Sequence, residues 1–269
     1  MSPAMPIHAA AQSGFTVYTV LMAVLTGGLL AGWALSGKHR REHAVFPLLL
    51  AGGALSAICE PVFDNLVLFW YPPHQQLSAF HAFGRTIPIC VVIGYVWFCG
   101  GLPYLAYTLI KRGATVRGLW ALAAVVFVID FVAIGLTSWL NIAGFYGGQP
   151  FNVAGYPLWW GAVDTANVLL GGALLYYLIP RLRGARRLYL LLIPTWVTGA
   201  TAVAVAGPVA IALNSRWSMA GKSVAALVTV GLGFGIVDLV ASRLGRRADR
   251  PVAAAVELPD PGREMAGVA

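Results

Sequence analysis

The residues of this chain best suited to chemistry are carboxylates set in apolar sequence. Glu60 and Asp64 stand four apart in Glu60-Pro61-Val62-Phe63-Asp64, a spacing that puts both on one helix face. Asp164 and Asn167 stand three apart, Asp130 sits alone within a long apolar run, and His81 and Arg85 are again four apart. A carboxylate in hydrocarbon costs ~2.5–3.5 kcal/mol on insertion scales. Acids kept at such depth therefore face a cavity or a partner, and they mark proton relays or binding sites. In a cavity walled by aromatic rings, an acid can protonate an alkene or epoxide of a lipophilic substrate. The ring faces stabilise the migrating cation, and a carboxylate removes the last proton. Glu60, Asp64 and Asp164 are the candidate catalytic residues. Trp70, Tyr71, His81, Arg85, Tyr95, Trp97, Asp130, Trp159, Trp160 and Asn167 are the candidates to line the substrate.

Each residue also has a plain structural reading. Glu60 could brace a kink at Pro61, whose missing N–H leaves the Ala57 carbonyl without its helical donor. Asp64, one turn nearer the outer surface, could pair with Arg85 or His81 or sit in water, and Asp130 could make a helix–helix hydrogen bond. Tyr18 reads as packing, and single tryptophans read as an interfacial belt. No cofactor or metal is expected. H-x-x-H clusters and phosphate-binding loops are absent, and Cys59, Cys90 and Cys99 lack ligand spacing and read as small core residues. The absence of a D-D-x-x-D motif argues against ionisation of a diphosphate.

The elements that must position these groups are helices in a bilayer. Of 269 residues, 59% are hydrophobic and 10% charged, far below the ~25% charge of a soluble domain. Apolar runs at 15–35, 45–69, 87–110, 119–140, 158–179, 188–213 and 223–240 give seven spans and an all-α integral membrane fold. Residues 78–85 are expected as an interfacial helix capped by Ser78 or as the first turns of the third span. Gly27, Gly28 and Gly32 are expected to allow close packing of the first span. The net charge of +8 is not a nucleic-acid signal, because the cations sit in short connections. Lys38, Arg40, Arg41, Lys111, Arg112, Arg117, Arg181, Arg183, Arg186, Arg187, Arg243, Arg246, Arg247 and Arg250 fall on one side. Arg85, Arg216 and Lys222 fall on the other. The positive-inside rule then predicts an outer N-terminus and a cytoplasmic C-terminus in a multi-pass plasma-membrane protein. Residues 1–242 form the expected transmembrane domain, and 243–269 a disordered tail, basic then acidic. A cleaved signal peptide is not expected before Phe15. The expected partners are the bilayer and a lipophilic small molecule, with the oligomeric state left open.

In size, in its seven spans and in the acid of Cys59-Glu60-Pro61 on the second span, the chain resembles the small membrane-bound terpene cyclases of meroterpenoid and prenyl-indole pathways. That resemblance implies cofactor-free cyclisation of a farnesyl-type chain carried on a larger acceptor. It also implies an acid on the last span, for which Ile236-Val237-Asp238-Leu239 offers Asp238. Counting ~1.5 Å per residue, Asp238 lies ~15 Å from Glu60 along the membrane normal, so Asp164 is an alternative for that part. A proton-coupled carrier would use the same acids as a relay and the proline breaks as hinges. A receptor or assembly protein stays open as well. A retinal protein does not, because the last span has no lysine near its middle.

Overall fold

Seven helices long and apolar enough to cross a bilayer make up the computed structural model: Ser13–Leu35, Val45–Val67, Ile89–Lys111, Val116–Trp139, Leu158–Leu178, Gly184–Val205 and Met219–Leu244. The structure describes residues 12–35, 44–72 and 77–246. The readings made for Lys38, Arg40 and Arg41, for residues 73–76 and for the tail from 247 onward lie outside these residues. The expected tail boundary moves, because the last helix runs to Leu244. Beyond it the Arg246 amide donates to the Ala114 carbonyl at 2.9 Å, and the Val116 amide to the Arg246 carbonyl at 3.3 Å.

Helix contacts are made through small residues, as expected where no hydrophobic force drives helices together in lipid. A Cβ on Gly53 would fall 2.5 Å from the Tyr95 carbonyl oxygen, and one on Gly100 2.5 Å from that of Leu49, so the second and third spans cross backbone to backbone. Gly233 meets the Ala162 carbonyl at 2.6 Å in the same way, joining the seventh span to the fifth. The first span is different. Gly27, Gly28 and Gly32 have nothing within 4 Å of a would-be Cβ, so they do not serve close packing as expected. That helix is held along the third span, where Thr26 Oγ1 donates to the Ile93 carbonyl at 3.1 Å.

Three spans are broken, each just before a proline that restarts the helix. In the second, a 3₁₀ turn at Ala57–Cys59 leads into the helix Glu60–Val67 with Pro61 in its first turn. The Ala57 carbonyl is not orphaned there, because it accepts the Glu60 amide. In the third, a π turn at Val96–Gly101 precedes Pro103. In the sixth, a π turn at Thr201–Val205 precedes Pro208. A π turn carries one more residue than an α turn and re-aims the side chains around it.

The end of the bundle away from Lys111 is closed by two-stranded ribbons, so the fold is not purely helical. Residues 78–85 do not form the expected helix. Ser78–Ala82 pairs antiparallel with Arg85–Pro88, and the turn between them is Phe83-Gly84, both with positive φ (50° and 74°). That geometry suits a two-residue hairpin. Pro88 is extended and lies before the third span rather than within it. A second ribbon pairs Phe69 with Phe145 and Trp70 with Gly144, tying the end of the second span to the loop after the fourth. The second span stops at Leu68, whose φ is 57°. Its last carbonyls are taken by Gln149 Nε2 on Val67 at 2.8 Å and Asn214 Nδ2 on Leu66 at 2.7 Å.

Candidate active site: a buried acidic cavity

All three breaks face one cavity. Glu60 comes from the first break, Tyr95, Trp97, Phe98 and Cys99 from the second, and Thr201 and Ala202 from the third. The fourth and fifth spans add Asp130, Asp164, Asn167 and Trp160, and the ribbon adds Phe69 and Phe145. Interruptions of helical geometry are thus used to turn side chains inward at one depth.

Glu60 is buried and accepts two phenol hydrogens. Tyr71 Oη donates to Oε1 at 2.7 Å, and Tyr95 Oη donates to Oε2. Tyr71 lies outside the spans. Burial, reinforced by the nearby Glu60 and Asp64 charges, pushes its phenol well above the ordinary value, so it stays a donor. Asp64 is also buried and lines the same cavity, and its Oδ2 has no hydrogen-bond partner among the described residues. The expected solvated position is therefore incorrect.

A second acidic station lies across from it in sequence. Asp130 and Asp164 line the cavity from neighbouring helices, with Trp160 on the same wall, and Tyr156 Oη donates to Asp130 Oδ2. Burial, then the Asp130 and Asp164 charges, raises the Tyr156 phenol and keeps it a donor too. The depths agree. Asp130 lies ~21 Å along the fourth helix from Val116, and Asp164 ~9 Å along the antiparallel fifth from Leu158, which meet in a ~30 Å core.

Among the residues expected at the site, Glu60, Asp64, Asp164, Tyr71, Tyr95, Trp97, Asp130, Trp160 and Asn167 line the cavity. Trp70, His81, Arg85 and Trp159 do not. Trp70 and Trp159 are buried in packing beside it. His81 is exposed on the hairpin, its Nδ1 3.0 Å from Thr86 Oγ1. Arg85 is a brace: Nη2 donates to the Asp64 carbonyl at 3.3 Å and to Tyr146 Oη at 2.8 Å, and Nε donates to Asn65 Oδ1 at 3.2 Å. Asp238 is exposed on the outside of the last helix and takes no part in the cavity. Sequence reasoning missed Tyr18, Met22, Phe63, Phe69, Phe98, Thr198 and Thr201 as lining residues.

The cavity holds about 130 Å³, below the ~300–1,000 Å³ expected of a site for a whole drug-sized molecule. It adjoins a much larger apolar groove of about 1580 Å³ between the first, third and fourth spans, and the two share Tyr18, Met22, Trp97 and Ala133. The small acidic chamber thus lies beside the groove, with four residues lining both.

Fold and site together define a class: a seven-helix membrane protein with paired acidic stations in an aromatic chamber. Comparison with known protein families, curated proteins and solved structures finds no match to this chain.

Proposed function

We propose that this protein carries out cofactor-free, acid-initiated cyclisation of a lipophilic prenyl chain. The observation that carries the reading is the presence of two chemically different acidic stations in one aromatic chamber. In this reading Asp130 and Asp164, which line the chamber from neighbouring helices with Asp130 accepting from Tyr156, share a transferable proton, whereas Glu60 is held as an acceptor by two phenols. The pair delivers a proton to a terminal alkene or epoxide. Phe69, Phe145 and Trp97 offer ring faces to the cation as rings close. Glu60 then accepts the proton that leaves as the last double bond forms, and proton exchange between the stations resets them. One proton enters and one leaves, so product and substrate are isomers. This ordering gives Glu60 the closing role. The 130 Å³ chamber takes the reacting end of the chain and not the whole of it.

Supporting the enzyme over a carrier, the buried carboxyl, amide and aliphatic hydroxyl side chains among the described residues cluster around the chamber and its outer end. They stop there, and apolar clusters around Ala106, Ile110, Leu119, Leu122 and Val240 fill the half that ends in Lys111 and Arg112. A carrier relay needs polar groups through that half. The hinge-like breaks in three spans are the observation on the carrier's side. The distribution of Lys and Arg supports placing the Lys111 end in the cytoplasm.

The test is mass spectrometry of membranes containing the protein, supplied with farnesylated aromatic acceptors and their terminal epoxides. The expected result is an isobaric cyclised product that disappears in Glu60→Gln and in Asp164→Asn. A product that survives in Glu60→Gln removes Glu60 from the mechanism. Absence of any cyclised product from every acceptor overturns the cyclase reading.

A further inference from the structure

The acidic chamber is short of positive charge. Glu60, Asp64, Asp130 and Asp164 all line it, and among the described residues no Lys, Arg or His does. Arg85 packs behind Asp64, donating to its backbone carbonyl at 3.3 Å, and balances at most one of the four. Asp64 is also short of a donor. It is 1% exposed, yet its Oδ2 meets no hydrogen-bonding group among the described residues. Burying a carboxylate oxygen in this way is costly, so it marks a point where the N–H of a ligand would be held. Part of the chamber wall is aromatic and set at angles. Tyr71, Phe69, Phe145 and Trp160 follow one another at centroid distances of 5.2, 4.7 and 6.0 Å, with interplanar angles of 75°, 68° and 59°. They form a corner and not a flat stack. Its two ends meet the two acidic stations: Tyr71 donates to Glu60 at 2.7 Å, and Trp160 stands one helical turn from Asp164.

We infer that the chamber binds a small organic cation, a protonated tertiary amine, with its N–H on Asp64 Oδ2 and its alkyl groups against the rings of Phe69, Phe145 and Trp160. Charge, wall and size select this class. An ammonium ion brings the positive charge and the donor together. Its charge is spread over alkyl groups, which ring faces attract, whereas an anion would meet four carboxyl groups. A metal ion suits the site less: among the described residues no three His, Cys, Asp or Glu side chains group closely enough to hold one. The volume of about 130 Å³ is that of roughly four waters at liquid density, which fits a dimethylammonium head with a few carbons. The inference deepens the cyclase reading, because the same corner would carry the migrating carbocation. It rests on that reading only for one consequence, that the amine blocks turnover.

The experiment measures binding first. The full chain, in nanodiscs of neutral phosphatidylcholine, is photolabelled at neutral pH with a dimethylamine carrying a diazirine on a short alkyl arm. In parallel it is labelled with the uncharged isostere in which CH replaces the nitrogen. Labelled peptides are then mapped. The amine is expected to label the peptides holding Phe69, Phe145 or Trp160, saturably, and the isostere to need at least about tenfold more for the same labelling. Asp64→Asn should raise the half-saturating amine concentration about tenfold, and Phe69→Leu, which keeps an apolar side chain but removes a ring face, about fivefold. Asp238→Asn, on the outside of the last helix, should change nothing. If Asp64→Asn does not fold, Phe69→Leu and the isostere decide. Equal labelling by amine and isostere, labelling confined to lipid-facing residues such as Val20 and Val24, or amine labelling unchanged in the folded variants overturns the inference. The same nanodiscs are then given a farnesylated acceptor, whose cyclisation the amine should slow. Selective chamber labelling with no cyclised product from any acceptor would leave the amine site standing and the cyclase refuted. A cyclised product with no selective labelling would do the reverse.

Discussion

Glu60 receives a hydrogen bond on each oxygen, from Tyr71 at 2.7 Å and from Tyr95. Hydrogen bonds to a charged group contribute ~1.5–3 kcal/mol each. If Glu60 takes the closing proton, both phenols tune how readily it does so without touching the chain. Tyr71→Phe and Tyr95→Phe should each lower the initial rate of product formation ~10–100-fold, with the protein still folded. A rate unchanged in both variants would mean that Glu60 braces the break at Pro61 and does no proton transfer. The phenols also give a pH prediction with a definite sign. Tyr71 and Tyr156 are raised above the ordinary tyrosine value by burial and by neighbouring carboxylates. The folded state thus keeps protons that the unfolded chain releases above about pH 10. Their contribution to stability is complete below that pH and is lost as pH rises past it. The melting temperature of Tyr71→Phe should fall less steeply above about pH 10 than that of the unaltered protein. Parallel slopes would show that Tyr71 ionises normally.

At the scale of elements, the cavity depends on helices that come very close and then break. The Gly53–Gly100 crossing sets the second span, just before its 3₁₀ turn, against the π turn of the third. Gly53→Ala would place a methyl 2.5 Å from the Tyr95 carbonyl oxygen, and overpacking of this kind costs ~1–3 kcal/mol. It should lower the detergent-solubilised melting temperature and disturb Tyr95, while Gly27→Ala, in open space, should do neither. The seven spans were legible because an apolar run long enough for a bilayer has few other meanings. Their ends were less so: the fourth helix starts at Val116 rather than residue 119. That shift hid the Asp130–Asp164 contact, which depth counting recovers once the starts are right. The hairpin was misread because His81 and Arg85 at a spacing of four suit a helix, although Phe83-Gly84 was a turn signal. The cavity's phenylalanines left no mark, since a Phe facing a cavity and a Phe facing lipid look alike in an apolar run. The acids stood out because each had to be explained in hydrocarbon, and Arg85 looked like a site residue for the same reason before the structure made it a brace.

For the whole molecule, the decisive feature is asymmetry along the helices. Among the described residues, the buried carboxyl, amide and aliphatic hydroxyl side chains lie around the chamber or toward its ribbon-covered end, and the half that ends in Lys111 and Arg112 holds a buried phenol, Tyr107, but no buried acid. Ser56, the one nearest to that half on the second span, is spent on the Gly52 carbonyl of its own helix at 3.0 Å. A proton crossing that half would have to pass ~15 Å of packing that holds no buried carboxylate among the described residues. In proteoliposomes with an entrapped pH dye and an imposed pH gradient, the protein should therefore move no more protons than empty liposomes do, with or without prenylated acceptor. The same preparation should convert acceptor to its isomer. A proton flux that saturates with acceptor, and that Asp164→Asn abolishes, would show that the packed half opens during a working cycle. The paired acids would then belong to a carrier, and the three broken spans would be its hinges.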